Sequence, residues 1–279
     1  MSVLLSIFLG IVQGIAEFLP ISSSGHLSIF QNLFKLPSGE GSRLLFDVLL
    51  HLGTMVSICL SYRKDLRQMI SETADFLRHR TDDRMDGARI APSVRQVLLI
   101  LIATLPLVLA IPFYSKVEAL FYNTGFVGFA LIITGALLFV SDKLLEYGVK
   151  DERSLTVKDA LLIGVAQLVA LIPGLSRSGT TIVVGLSRGA RRDFALRFSL
   201  LLSLPAVLGS AVVTFFSALK TGVEWTFLPA YLIGFIFAAI IGYFSIQFIR
   251  KLLLNGKFGR FAYYCWGVGA LTLLLSVIL

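Results

Sequence analysis

Apolar and polar stretches alternate along the whole chain, and the apolar ones come in two kinds. Those at 44–62, 94–114, 121–141, 194–219, 227–249 and 261–279 each approach the roughly 20 helical residues needed to cross a bilayer core. They predict six transmembrane helices, with Pro106 and Pro112 as kinks in the second. Two further runs are interrupted. The first, 1–19, stops at Pro20 and Ser22, Ser23, Ser24 and Gly25, and a short apolar piece follows at 27–36. The second, 155–172, stops at Pro173 and the Ser176, Arg177, Ser178, Gly179 run before a short piece at 181–190. Each predicts two short helices around a polar bend, a re-entrant hairpin, because irregular backbone is tolerated at membrane depth only where protein or water surrounds it. The segment 63–91, with Arg78, Arg80, Asp82, Asp83, Arg84 and Asp86, is too polar to bury and reads as a solvated helical excursion or mobile loop.

The two interrupted runs echo each other. At an offset of 154, Gly10, Gln13, Ala16, Ser22, Ser24 and Gly25 fall on Gly164, Gln167, Ala170, Ser176, Ser178 and Gly179, while Ser23 falls on Arg177 and His26 on Thr180. A weaker echo relates 46–52 to 198–204. The chain reads as a single membrane domain, 1–279, built from a first repeat of about 1–141 and a second of about 155–279.

Composition agrees with an all-α polytopic membrane protein: 56% of residues are hydrophobic, 15% are charged, and mean hydropathy is +0.83. The net charge of +8 does not point to nucleic acid, because the basic residues crowd into loops. The segments 63–95, 143–158, 188–197 and 250–260 hold 20 of the 25 Lys and Arg, which places those loops in the cytoplasm. Lys35, Arg43, Lys116 and Lys220 lie on the other side. Both termini then face outward, the first hairpin dips from the outer face and the second from the cytoplasmic face, so the repeats are inverted in topology. Such repeats place a binding site where their breaks meet. Cys59 and Cys265 sit in apolar runs and suggest neither a disulfide nor a metal cluster. The first apolar run has no basic region before it and contains Glu17, so it is expected to stay in the mature protein.

A helix starting after each bend turns free N–H groups and its positive dipole end into the gap, which makes an anion site. Ser22, Ser23, Ser24, Ser176, Ser178, Thr180 and Thr181 add hydroxyls. Arg177 adds a fork suited to phosphate oxygens. The ligand inferred is a phosphate or pyrophosphate. Glu17 lies one turn after Gln13, on the same face. A carboxylate in an anion site needs a cation or a proton, so Glu17 is assigned to general-base or divalent-metal work, with structural pairing to Arg177 as the alternative. His26 is a candidate acid or phosphoryl acceptor, Ser23 a candidate nucleophile, and Ser22 or Ser24 a helix cap. Asp47 and His51, at i and i+4, pair with each other or line the cavity or a metal position; the pair is the simpler reading. Glycines 125, 128, 135, 234, 242, 267 and 269 mark close helix packing. No Gly-rich nucleotide loop, zinc spacing or Ser-His-Asp order is present, which disfavours ATP-driven or zinc chemistry.

The stretches QGIAEFLPISSSGH and PGLSRSGTT resemble the two signature motifs of the undecaprenyl-diphosphatase, or bacitracin-resistance, family. The first motif, Glu or Gln, three residues, then Glu, is met by Gln13 and Glu17; the second is met by Pro173, Gly174, Ser176, Arg177, Ser178 and Thr181. The resemblance implies a cell-membrane enzyme that removes the terminal phosphate of undecaprenyl diphosphate, regenerating the carrier lipid for peptidoglycan and conferring resistance to bacitracin, which sequesters the diphosphate. It also implies a divalent cation, Mg or Ca, and a site open to the outer face. Glu17, Ser23, His26 and Arg177 fall on the family's catalytic positions. Gln13, Ser176, Ser178 and Thr181 fall on supporting ones, and Ser22, Ser24 and Gly25 are added as substrate-binding candidates. Gln13, where Glu is frequent, leaves metal or base work to Glu17 alone. A polyprenyl-phosphate flippase or transporter is the rival reading, since broken inverted repeats are a transporter's architecture. Dimerisation is left open.

Overall fold

The computed structural model describes residues 1–34, 39–79, 90–144 and 148–278. Helices α1 (Val3–Ala16) and α2 (Ser23–Leu33) form the first interrupted pair. After them come α3 (Glu40–Ser61), α4 (Arg63–His79), α5 (Pro92–Thr104), α6 (Tyr114–Leu120) and α7 (Thr124–Leu144). The second interrupted pair is α8 (Val157–Val169) and α9 (Arg177–Ser187), and α10 (Arg192–Thr221), α11 (Leu228–Leu254) and α12 (Phe261–Ile278) close the chain. Six segments are long and apolar enough to cross a membrane: Glu40–Ser61, Pro92–Phe113, Thr124–Asp142, Arg192–Thr221, Trp225–Leu254 and Phe258–Val277. They correspond to the six runs read from the sequence. In the second, the α-helix tightens to a 3₁₀ stretch, Leu105–Phe113, that contains Pro106 and Pro112, because proline cannot donate to the i−4 carbonyl.

Both interrupted pairs are hairpins. Phe8 of α1 meets Phe30 and Phe34 edge-on, at centroid distances of 5.1 and 5.9 Å, so the first pair's arms return side by side. At the base of the second pair, Asp159 in the first turn of α8 accepts from Arg188 Nε (2.8 Å), just beyond α9, and from Lys150 Nζ (2.7 Å). Burial alone would push the Asp159 carboxyl up, but the bonds from Lys150 and Arg188 outweigh it and hold the group well below the usual carboxylate range. A capping box between Thr156 and Asp159 starts the helix.

The hairpins open at opposite ends of the bundle. Residues 39–42, which follow the first, bond to Glu224 between α10 and α11: Glu224 N donates to Ser42 Oγ at 2.8 Å. The second opens at the other end, where Arg197 joins Asp65 (2.9 Å) to Glu152 (2.8 Å) and Arg192 donates to the Leu254 carbonyl (3.1 Å). All four basic segments contribute to this end. Close helix approach carries the packing, as the glycines suggested: a Cβ on Gly128 of α7 would lie 3.0 Å from the Gly269 carbonyl oxygen of α12. Gly267 departs from that reading and has no neighbour within 4 Å of such an atom.

One reading is corrected, and another is narrowed to the helical one of its two alternatives. The helices after the bends start earlier than the apolar pattern indicated, at Ser23 rather than 27 and at Arg177 rather than 181. Hydroxyl caps let polar residues occupy a first turn that hydropathy alone assigns to a loop. The segment after the first span is an ordered helix over Arg63–His79 that buries Met69. The rest of the polar segment, from Arg80 to residue 89, lies outside the described residues, as do Lys35 and Leu36.

Candidate active site

The sequence echo reappears as an echo of hydrogen bonds. Ser22 Oγ accepts from Gly25 N at 3.2 Å, and Ser176 Oγ accepts from Gly179 N at 3.1 Å. The hydroxyls of Ser22 and Ser24 lie 3.3 Å apart, those of Ser176 and Ser178 3.4 Å. His26 N donates to Ser22 O and Thr180 N to Ser176 O. Each bend is therefore closed by one serine that caps the outgoing helix. Backbone requirements differ: Ser22 has φ +66°, unusual for a residue with a side chain, whereas in the second bend the positive φ falls on Gly174, at +95°. The two bends touch, since a Cβ on Gly25 would lie 3.3 Å from Gly174 Cα.

Glu17 is at the junction. Its side chain is 4% exposed, and a buried carboxylate without partners would cost several kcal/mol. It has several. Gln13 Nε2 donates to Oε2 at 3.0 Å and Ser23 Oγ donates to the same oxygen at 2.6 Å. Arg177, from the other hairpin, donates through Nη2 to Oε1, and Ser178 Oγ donates to the Glu17 backbone carbonyl at 3.4 Å. The Arg177 side chain remains 23% exposed, so the pair is not sealed from solvent on its side.

His26, one turn into α2, places Nδ1 2.8 Å from the Ser22 carbonyl. That oxygen can only accept, so Nδ1 carries the proton, and in the neutral ring Nε2 accepts from the Tyr264 hydroxyl at 2.8 Å. The rings stack at 5.7 Å. Ser176 is fixed further by Thr134, whose Oγ1 accepts from Ser176 N (3.1 Å) and donates to Gly174 O (2.8 Å). Thr181 is turned elsewhere: its Oγ1 lies 2.6 Å from Ser199 Oγ of α10 and donates to the Arg177 carbonyl. It positions α9 and does not face Glu17.

The Asp47 and His51 carboxylate–ring pair expected from their spacing is not formed. His51 Nδ1 is held by the Asp47 backbone carbonyl at 2.8 Å, while the Asp47 carboxylate accepts from Gln31 (2.6 Å), itself bonded to Arg43 (2.8 Å). This leaves His51 Nε2 3.9 Å from Glu17 Oε2, which adds His51 to the site. Tyr264, Thr134 and Gln31 are further neighbours that local pattern did not single out.

The donor set suits a hard cation that keeps much of its water, since such ions take one or two carboxylates plus substrate oxygens. Glu17 is such a carboxylate, and the buried Gln13 Oε1 has no hydrogen-bond partner among the described residues. The described residues contain no cluster of three His, Cys, Asp or Glu that could hold a metal by themselves.

Comparison with known proteins finds relatives along the whole chain. Relatives named undecaprenyl-diphosphatase include those of Halothermothrix orenii, 40% identical over 97% of this chain and 96% of the relative, and Methanobrevibacter smithii, 38% identical over 99% of both. A third, from Methanosphaera stadtmanae, is 37% identical over the full length of both. Residues 6–271 match the family described as Bacitracin resistance protein BacA. With that match covering nearly the whole chain, this multi-pass membrane protein belongs to the BacA bacitracin-resistance family.

Proposed function

We propose that the chain hydrolyses undecaprenyl diphosphate to undecaprenyl phosphate and inorganic phosphate, recycling a lipid carrier for wall synthesis and lowering the target of bacitracin. One observation carries the reading: a serine hydroxyl donates to a buried carboxylate at 2.6 Å, with an arginine from the other hairpin on the same carboxylate. That is a nucleophile with its base and a cationic clamp for phosphate oxygens.

In the proposed course, Arg177 and the N–H groups opening α2 and α9 bind the diphosphate. Ser23 Oγ attacks the terminal phosphorus as Glu17 takes its proton. The bond from that phosphorus to the bridging oxygen breaks, and undecaprenyl phosphate leaves. Water then attacks the phosphoserine, releasing phosphate and restoring the hydroxyl. Tyr264 gives its hydroxyl proton to the leaving oxygen and regains one from the attacking water through His26 Nε2, and His26 Nε2 is the alternative phosphoryl acceptor. Gln13, Ser22, Ser24, Ser176 and Ser178 orient these groups. A magnesium or calcium ion held by Glu17 and Gln13 Oε1 would neutralise charge on the diphosphate.

The hairpins are read as re-entrant from opposite membrane faces, in inverted repeats, with the basic end of the bundle in the cytoplasm and the site reached from outside. The hydrogen-bond echo at the bends and the opposite openings of the hairpins support this. They also favour the flippase reading. Phosphate release from a prenyl diphosphate by the purified protein in detergent separates the two: a phosphatase releases it without a membrane, and its absence would leave the transporter.

A further inference from the structure

A groove of about 630 Å³ opens on the outer wall of the bundle at its basic end, away from Glu17. Its walls include Leu60 of α3 and Ile240, Tyr243 and Phe244 of α11, and Arg63 and Lys64 of α4 stand at its rim. Leu60 and Phe244 are 53% and 64% exposed, so the described residues leave this apolar wall open. Among the described residues neither Arg63 nor Lys64 forms an ion pair. Asp65, the groove's one carboxylate, is taken by Arg197 at 2.9 Å. The groove is therefore net positive above and apolar below. Ser61 adds a buried hydroxyl without a partner among the described residues. The elbow joining spanning helix α3 to polar helix α4 is the level at which headgroups meet a membrane protein, and Tyr243 has the amphipathic ring found there.

We infer that this groove binds an anionic glycerophospholipid, its phosphate on Arg63 and Lys64 and an acyl chain along Leu60, Ile240 and Phe244. Two cations over an apolar wall complement a lipid with negative charge at one end and hydrocarbon at the other. A zwitterionic lipid carries its own cation into the same field and is disfavoured. The inference does not depend on the reading of the Glu17–Arg177 site.

The test uses the full-length protein in nanodiscs of phosphatidylcholine mixed with phosphatidylglycerol, followed by native mass spectrometry of retained lipid. Phosphatidylglycerol should be retained preferentially, and R63Q/K64Q should lower its retention roughly thirtyfold, since each of the two surface cations removed is worth about 1 kcal/mol toward anionic lipid. Phosphate release by the variant should match the parent. Equal retention by parent and variant, or no preference for phosphatidylglycerol in the parent, overturns the assignment. Should the double variant lose activity through misfolding, a photo-crosslinking residue at Phe244 in the otherwise native chain decides. Adducts mainly with phosphatidylglycerol support the site, and adducts following bulk composition refute it.

Discussion

The two hairpins share a frame and differ in what it carries. Each has a serine cap three residues before a glycine, a second serine within reach of the first, and a short helix leading away. At matching positions the first holds Glu17, Ser23 and His26, and the second holds Leu171, Arg177 and Thr180. The frame is duplicated, and in the proposed reaction the groups are divided: Ser23, Glu17 and His26 on one side, the Arg177 clamp on the other. Neither hairpin holds the whole set, so contact between them is what assembles the site.

The division can be tested by removing one member at a time. Arg177→Ala, which takes away the second hairpin's contribution, should lower phosphate release from a prenyl diphosphate in detergent by about 10³-fold or more; near-normal turnover would mean that hairpin is only scaffold. Glu17→Gln keeps the volume and removes the proposed base, and a fall of about 10²- to 10⁴-fold is expected, with little added by combining it with Ser23→Ala if the two act as a unit. His26→Ala should cost roughly 10²-fold. Tyr264→Phe, which removes only the hydroxyl bonded to Nε2, should cost less and shift the pH profile of kcat; an unchanged profile would reduce Tyr264 to packing.

The smallest effect should be on stability. Asp159→Asn at the base of the second hairpin removes the charge of a buried double ion pair and should cost about 3 kcal/mol, lowering the detergent melting temperature with turnover preserved in the folded fraction. Because the Asp159 carboxyl is held below its ordinary range in the folded protein, its stabilisation is fully present above that range. It is lost as pH falls through the group's own depressed value. The parent, but not the variant, should show that acid-side loss.

The six spans were legible because each is a long apolar run, and both breaks because Pro, Ser and Gly cannot continue one. The Glu17–Arg177 meeting was legible only through the repeat. Where the helices restart was not, since Ser22 and Ser176 act through capping bonds that hydropathy does not register. Contacts across the bundle were also hidden: Tyr264 lies 238 residues from His26, and no local spacing announces it. For Asp47 and His51 the spacing was right and the partners wrong. The backbone carbonyl took the ring, and a side chain from α2 took the carboxylate.

Glu17 and Arg177 hang from hairpins rooted at opposite ends of the bundle. Any change in the depth of one root relative to the other is carried to the gap between them. A bilayer of shorter or longer acyl chains imposes such a change through hydrophobic mismatch, at fractions of a kcal/mol per Å. Turnover in reconstituted protein should therefore peak at one lipid chain length and decline on either side, making this ion pair a gauge of the thickness of the membrane it works in.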